Sequence, residues 1–455
     1  MKTGKKIKFS NTQVIILSFL VVILIGTLLL TLPISSADGK VTPVIDAMFT
    51  AATSVCVTGL VVVDTFSHWS VFGQVVILIL IQCGGLGIVT FTAFVMVVIG
   101  KKVTLKDRML LQDALNLETM KGLVKFMKKV LTGTIVVESI GALCYMFVFV
   151  PEYGPKGIWI SIFNSISAFC NAGIDIIGNS SLQPYATNVW VNIVTILLIV
   201  MGGIGFVVWW DVLGIVEKLK KKDITSSHLF RKLSLHSKIV IITTLLLIFG
   251  GGTLIMLLEY GNPDTIGNMN FGHKIVASIF QAVTTRTAGF CTFSQKHMRD
   301  ATTLLCIIMM FIGGSPVGTA GGIKTTTFAL VILSARATVK GTEDVTVNRK
   351  TIPSKKVKKA LGVITIAITV LFIMIMLLSI VNGGEFLDVF FEVTSAIATA
   401  GLSRDYTATL NLAGKAIIIL CMFLGRVGPI SLVIAFNFSK NKGIVMYPEE
   451  DITVG

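Results

Sequence analysis

The chain has 455 residues, of which 53% are hydrophobic and only 14% charged, with a formal net charge of +15. Soluble domains carry about a quarter charged residues, so this composition excludes an ordinary soluble domain and points to a polytopic membrane protein. The positive balance is concentrated in a few segments, which excludes a basic nucleic-acid-binding surface as its simplest explanation.

In chain order, membrane-spanning helices are predicted over Val14–Leu32, Phe72–Ile99, Val130–Val150, Val189–Leu213, Ile239–Leu258, Thr302–Ile312 with a weak continuation to Leu333, Val363–Ile380 and Ala416–Phe438. A bilayer asks for about 20 apolar residues per helix, and nearly all of these qualify. The basic start MKTGKKIKFS precedes a run longer than a signal-peptide core, with no small-residue cleavage site after it, so a retained first span is expected. Of the 39 Lys and Arg residues, 29 lie before the first span, in 101–129, 218–238 and 336–359, and at Lys440 and Lys442. The positive-inside rule then places both termini and these loops in the cytoplasm, where they also face anionic lipid headgroups.

Between each pair of spans sits a short apolar run, starting near Asp46, Ile158, His273 and Phe386 and ending at Gly59, Gly173, Gly289 and Gly401. These glycines are 114, 116 and 112 residues apart, a fixed period that marks internal repeats. Ten to fourteen helical residues reach about half of the hydrocarbon thickness. Such a segment enters the membrane and turns back, or lies flat at the interface; four copies in register favour re-entry. Every repeat begins and ends on the same side. The expected fold class is therefore an all-α polytopic membrane protein, with four parallel span–pore-helix–span repeats in a pseudo-fourfold arrangement around one pore. The repeats are 1–110, 111–222, 223–345 and 346–439, followed by a cytoplasmic C-terminal tail, 440–455.

The second spans carry a further repeated element: CGGLG (83–87), MGGIG (201–205), IGGSPVG (312–318) and LGRVG (424–428). In the first two copies, small residues are expected to let continuous helices pack closely. The third, GGSPVGTAGGIKTTT (313–327), holds too many glycines and a proline for a continuous helix. A broken helix with an irregular loop facing a water-filled cavity is expected there.

Four half-helices pointing inward present partially negative C-termini, which favours a cation. Beyond them the backbone continues through Val55, Cys56, Val57, Thr58 and Gly59; Phe169, Cys170, Asn171, Ala172 and Gly173; Thr285, Arg286, Thr287, Ala288 and Gly289; and Ile397, Ala398, Thr399, Ala400 and Gly401. These side chains are mainly small and neutral, with no Asp or Glu ring. Carbonyl oxygens would then replace the hydration shell of a monovalent ion.

The segments FTAATSVCVTGL, QCGGLGIVTF, SAFCNAGI, GGIGF, FQAVTTRTAGF, AGGIKTTTF and MFLGRVGP, in this order along essentially the whole chain, resemble the membrane subunits of the Ktr/Trk/HKT superfamily of potassium uptake proteins. The resemblance implies potassium as the ion held at the filter carbonyls, with sodium dependence left open and no bound organic cofactor. A glycine in every filter accompanies potassium selectivity in that family, and a serine in the first accompanies sodium permeation. The resemblance also implies a homodimer with the tail 440–455 at its interface. A KtrA-like cytosolic regulatory ring subunit binding ATP or ADP is the implied partner, and the implied location is a bacterial cytoplasmic membrane. Cys56, Cys170 and Asn171 depart from the stricter channel signature, so a sodium-permeable or weakly selective cation channel is the nearest alternative.

Lys324 and Arg426 are cations at membrane depth, and the expected gate comprises Gly313, Gly314, Ser315, Gly318, Thr319, Gly321, Gly322, Lys324 and Arg426. A cation beneath a cation filter is an electrostatic barrier or a latch, a role the resemblance supports for Arg426 and the 313–327 loop. Arg286 is expected to point back into the scaffold, and Glu138 and Asp211 to be structural. The five histidines fit no HExxH or triad pattern, the seven cysteines no CxxC spacing, and the glycine motifs GGLGIV and GGIGF lie inside spans. No catalytic residue is assigned, so a polytopic membrane enzyme is the weaker alternative of another class.

Overall fold

A computed structural model describes residues 10–98, 103–115, 122–221, 229–342 and 344–428. In the first quarter, α1 (Asn11–Thr31), α2 (Val44–Cys56), α3 (Thr65–His68), α4 (Val71–Leu86), α5 (Ile88–Val98) and α6 (Leu105–Ala114) follow one another. The second holds α7 (Leu123–Tyr153), α8 (Lys156–Cys170), α9 (Val189–Gly203) and α10 (Phe206–Lys220). The third holds α11 (Leu229–Lys232), α12 (Leu235–Leu245), α13 (Gly251–Glu259), α14 (Phe271–Thr284), α15 (Asp300–Phe311) and α16 (Thr325–Val339). A small antiparallel hairpin, β1 (Thr346–Val347) and β2 (Lys350–Thr351), precedes α17 (Ser354–Val381), α18 (Phe386–Ala398) and α19 (Leu412–Val427).

Among the described residues, four helices are long and apolar enough to cross a membrane: α1, α7, the run Leu235–Glu259 formed by α12 and α13, and α17. They coincide with the predicted spans Val14–Leu32, Val130–Val150, Ile239–Leu258 and Val363–Ile380. Their mean hydropathy lies between 1.9 and 3.0, and most of each is left unburied by the protein, as lipid-facing helices require. A π-helical turn, Leu246–Gly250, joins α12 to α13.

The second spans differ from expectation. Neither Phe72–Ile99 nor Val189–Leu213 is a continuous helix through its described residues, and Ala416–Phe438 is described only as far as Gly428. α4 stops at Gly87 (φ 84°, ψ 128°), α9 and α10 meet near Gly205 (φ 91°, ψ 135°), and α19 stops at Gly428 (φ 87°, ψ 131°). Only glycine enters that backbone region without strain, so Gly87 and Gly205, each standing between two helices, are hinges where the sequence predicted packing positions. α9 and α10 are bent by 99°. In the third quarter the break widens to the whole stretch from Ile312 to Lys324, as the run of glycines predicted. The end of the last expected span and the tail 440–455 lie outside the described residues.

The short helices α2, α8, α14 and α18 begin within two residues of their predicted starts and are 13 to 15 residues long, too short for the ~30 Å hydrocarbon core. Their C-terminal halves are buried almost without exception. In α2, α8 and α18 the cap residue is left-handed (Val57, Asn171, Thr399), and the next amide returns to the helix: Thr58 N to Thr53 O, Ala172 N to Ser167 O and Ala400 N to Ser395 O, each 2.8 Å. These bonds satisfy carbonyls that a helix end would otherwise orphan.

Candidate functional site

The four glycine-ended segments share one backbone plan. Val57, Asn171, Thr287 and Thr399 are left-handed, with φ between 53° and 69°, and the glycine two residues later also has positive φ. A left-handed non-glycine residue costs about 1–3 kcal/mol and persists only where its surroundings over-determine it. Here the same strain recurs four times, on three β-branched side chains and an asparagine.

Side-chain hydroxyls from the short helices hold the strands that follow. Thr53 Oγ1 accepts from Gly59 N (2.9 Å), Ser167 Oγ accepts from Ile174 N (3.1 Å), and Thr284 Oγ1 donates to Phe290 O (2.6 Å). The hydroxyls of Thr58, Thr287 and Thr399 are buried and make no hydrogen bond among the described residues.

The glycines themselves converge. A Cβ on Gly59 would lie 2.6 Å from Ala172 O and 3.3 Å from Gly173 Cα, and one on Gly173 would lie 2.5 Å from Ala288 O and 2.6 Å from Gly289 Cα. From Gly289 the neighbours are Ala400 O at 3.1 Å and Gly401 Cα at 3.3 Å; from Gly401 they are Thr58 O at 2.1 Å and Gly59 Cα at 2.9 Å. Each glycine therefore abuts the next in chain order, and the last abuts the first.

The second-span glycines back them. A Cβ on Gly84, Gly202 or Gly425 would fall 2.1, 1.9 and 2.1 Å from Val55 O, Phe169 O and Ile397 O. Those are the first residues of segments one, two and four, so side chains are excluded at these glycines by the approach of a carbonyl.

The 313–324 stretch is sewn to the hinge between α9 and α10. Ser315 N donates to Gly203 O (2.9 Å), Thr319 N to Gly202 O (3.2 Å) and Phe206 N to Val317 O (2.9 Å). Thr319 Oγ1 donates to Phe169 O at 3.1 Å, at the start of the second segment. On the far side, a Cβ on Gly321 would lie 2.1 Å from Thr399 Oγ1, in the fourth. Ser315, Thr319 and Ala320 are fully buried by these contacts, whereas Gly318, Gly322 and Lys324 of the same loop are half-buried.

Arg426 reaches across the same level. Its Nη1 donates to Thr319 O (2.6 Å), while Nη2 donates to Gly84 O and to Gly85 O, the latter at 3.2 Å. At this end of α4 the cap amide Gly87 N already donates to Gly84 O at 3.1 Å, and Arg426 adds a charged donor where the helix dipole is negative. Lys324 turns back to Ala320 O at 2.6 Å. The two cations thus bind neighbouring carbonyls of one loop.

Residues 3–444 match the TrkH family, described as cation transport protein. The chain belongs to this family. The Ktr system potassium uptake protein B of Bacillus subtilis (strain 168) is 39% identical over 455 residues, covering all of this chain and 99% of that protein. Potassium/sodium uptake protein NtpJ of Enterococcus hirae is 38% identical over 464 residues, again covering all of this chain and 99% of the other. The crystal structure of the potassium transporter TrkH from Vibrio parahaemolyticus superposes with a TM-score of 0.74, covering 96% of this chain and 87% of that one; at 17% identity it speaks to the fold alone. A cation-transport family sets aside the membrane-enzyme reading and makes the chain a membrane protein.

Within this TrkH-family chain, Arg286 does point into the scaffold, with Nη2 3.3 Å from Thr244 Oγ1 on α12. Asp211 accepts from Ser234 N (3.0 Å) at the start of α12. The hydroxyl anchors Thr53 and Ser167 escaped sequence reasoning. The signal was present: a Ser or Thr stands six residues before the glycine in segments one, two and four.

Proposed function

We propose that this chain takes up potassium through one carbonyl-lined filter made of the four glycine-ended segments, 55–59, 169–173, 285–289 and 397–401. The observation that carries the reading is the closed cycle in which each of Gly59, Gly173, Gly289 and Gly401 abuts the next. Four parallel repeats, divided near residues 110, 222 and 345, produce that pseudo-fourfold cycle around one axis. Alternation between left-handed residues and their ordinary neighbours turns successive carbonyls to the same side of the chain, the disposition a dehydrated monovalent cation needs. The short-helix C-termini add negative potential, and the buried hydroxyls of Thr58, Thr287 and Thr399, unpaired among the described residues, are further oxygens within the segments.

The 313–324 loop is the gate, held closed below the filter by its bonds to Gly202, Gly203 and Phe169, with Arg426 as its latch. Lys324 adds a second positive charge to that barrier. Both termini are cytoplasmic. The Ktr system name of the similar Bacillus subtilis protein supports a multi-component assembly, here a homodimer on a cytosolic ring that binds ATP or ADP and releases the loop. The potassium/sodium name of the similar Enterococcus hirae protein supports sodium as a coupling or competing ion, and keeps a weakly selective monovalent cation channel as a second reading.

The test is rescue of potassium-uptake-deficient bacteria at low external potassium, comparing the parent chain with Gly59→Ser and Gly289→Ser. Rescue by the parent and a changed ion preference in the variants are expected. Unchanged uptake and ion preference in both would overturn the filter assignment.

A further inference from the structure

Glu138 lies midway along α7, a lipid-spanning helix, and is 7% exposed. A carboxyl group at that depth is costly, and such groups pair with a cation or serve a function. Among the described residues Glu138 forms no ion pair. Its partners are polar and specific: Gln82 Nε2 on α4 donates to both carboxylate oxygens, at 3.1 and 3.2 Å. With its nitrogen committed there, Gln82 turns its Oε1 to accept the Cys170 thiol at 3.3 Å, and Cys170 Sγ also lies 3.9 Å from Glu138 Oε1. Ser165 Oγ of α8 donates to Glu138 O at 2.7 Å.

Cys170 is the last residue of α8 and immediately precedes the left-handed Asn171. Its Sγ occupies the place of a side chain on Gly85: a Cβ there would lie 2.7 Å from it. Gly85 O, in turn, is one of the carbonyls that hold Arg426. One carboxyl group therefore fixes the thiol at the root of the second segment and, through the α4 terminus, the carbonyls that hold the latch.

We infer that Glu138 is a positioning residue for ion selection, holding the root of the second filter segment and the Arg426 carbonyls in register through Gln82 and Cys170. The inference rests on the filter-and-latch reading above. Removing the carboxylate frees Gln82 to rotate, so its Oε1 is no longer held against the Cys170 thiol, and the second segment loosens while the other three keep their anchors. The second segment is the one to which the gate loop is tied at Phe169 O.

The experiment measures isotopic potassium uptake and its competition by sodium in proteoliposomes for the parent, Glu138→Ala, Glu138→Gln, Gln82→Leu and the Glu138→Ala/Gln82→Leu double variant. Expected for Glu138→Ala is a shift of roughly tenfold in half-saturating potassium or in sodium competition, the scale of one lost hydrogen bond to a charged group. Gln82→Leu should do the same, the double variant should be no worse than either single one, and Glu138→Gln, which keeps an acceptor, should recover part of the loss. If Glu138→Ala is poorly folded, Gln82→Leu and Glu138→Gln carry the same comparison. Unchanged half-saturation and sodium competition in the folded variants, or a loss confined to maximal rate, would overturn the inference while leaving the filter reading intact. A parent chain with no potassium preference would overturn the filter reading, and this inference with it.

Discussion

Replacing Arg426 by alanine tests the latch directly. The guanidinium makes contacts of two kinds. Its bonds to Gly84 O and Gly85 O anchor it to α4, and its 2.6 Å bond to Thr319 O joins it to the loop. Only the last ties the loop to the arginine, and a hydrogen bond to a charged group contributes about 1.5–3 kcal/mol net. The loop also keeps its backbone bonds to Gly202, Gly203 and Phe206 and the Thr319 hydroxyl bond to Phe169 O. Closure should therefore weaken without being abolished. At ~1.4 kcal/mol per decade, the open population rises roughly 10- to 150-fold from a small starting value. Purified chain in liposomes, without any cytosolic partner, should show a correspondingly larger potassium leak for Arg426→Ala than for the parent. Arg426→Lys should fall between them, because a single ammonium lacks the planar fork that spans two sets of carbonyls. A folded Arg426→Ala protein that leaks no faster than the parent would refute the latch.

The contacts yield further outcomes. Alanine at the four filter glycines should be graded, with Gly401→Ala most damaging and Gly289→Ala least, since the nearest backbone atom would stand 2.1 Å away in the first case and 3.0 Å in the second; the potassium-to-sodium uptake ratio reads the order, and an inverted order would count against the cycle. Gly202→Ala puts a methyl 1.9 Å from Phe169 O and should lower thermal stability in detergent by about 3 kcal/mol or more, whereas Gly214→Ala, on an open face of α10, should leave it equal or raise it by up to ~1 kcal/mol. Thr319→Val removes the hydroxyl bond to Phe169 O and should raise partner-free leak by roughly fivefold, the scale of one neutral hydrogen bond.

The repeat and its short helices were legible because they rest on length, hydrophobicity and a recurring glycine. α2, α8, α14 and α18 start within two residues of the positions read from Asp46, Ile158, His273 and Phe386. The widened break after Ile312 was legible for the same reason, since five glycines and a proline cannot continue a helix. The hinges at Gly87 and Gly205 were not. Hydropathy runs through them uninterrupted, and a glycine in an apolar helix reads equally as a packing site. The left-handed Val57, Thr287 and Thr399 were hidden more deeply, because β-branched residues disfavour that region and adopt it only under tertiary constraint. Arg426 and the loop were legible as intramembrane charge and helix-breaking sequence. Their junction at Thr319 O was not, because it joins residues 107 positions apart. Glu138 read as structural, and its link to Cys170 passes through Gln82, a residue that no pattern singled out.

The central claim is that four glycine-ended segments make one potassium-selective path. Isotopic potassium uptake with graded sodium competition, measured in proteoliposomes for the parent, Gly59→Ser and Gly401→Ser, tests it most directly. The account predicts potassium preference in the parent and a shift toward sodium in both variants, although residues 59 and 401 lie in opposite ends of the sequence. Equal ion preference in all three proteins would contradict it.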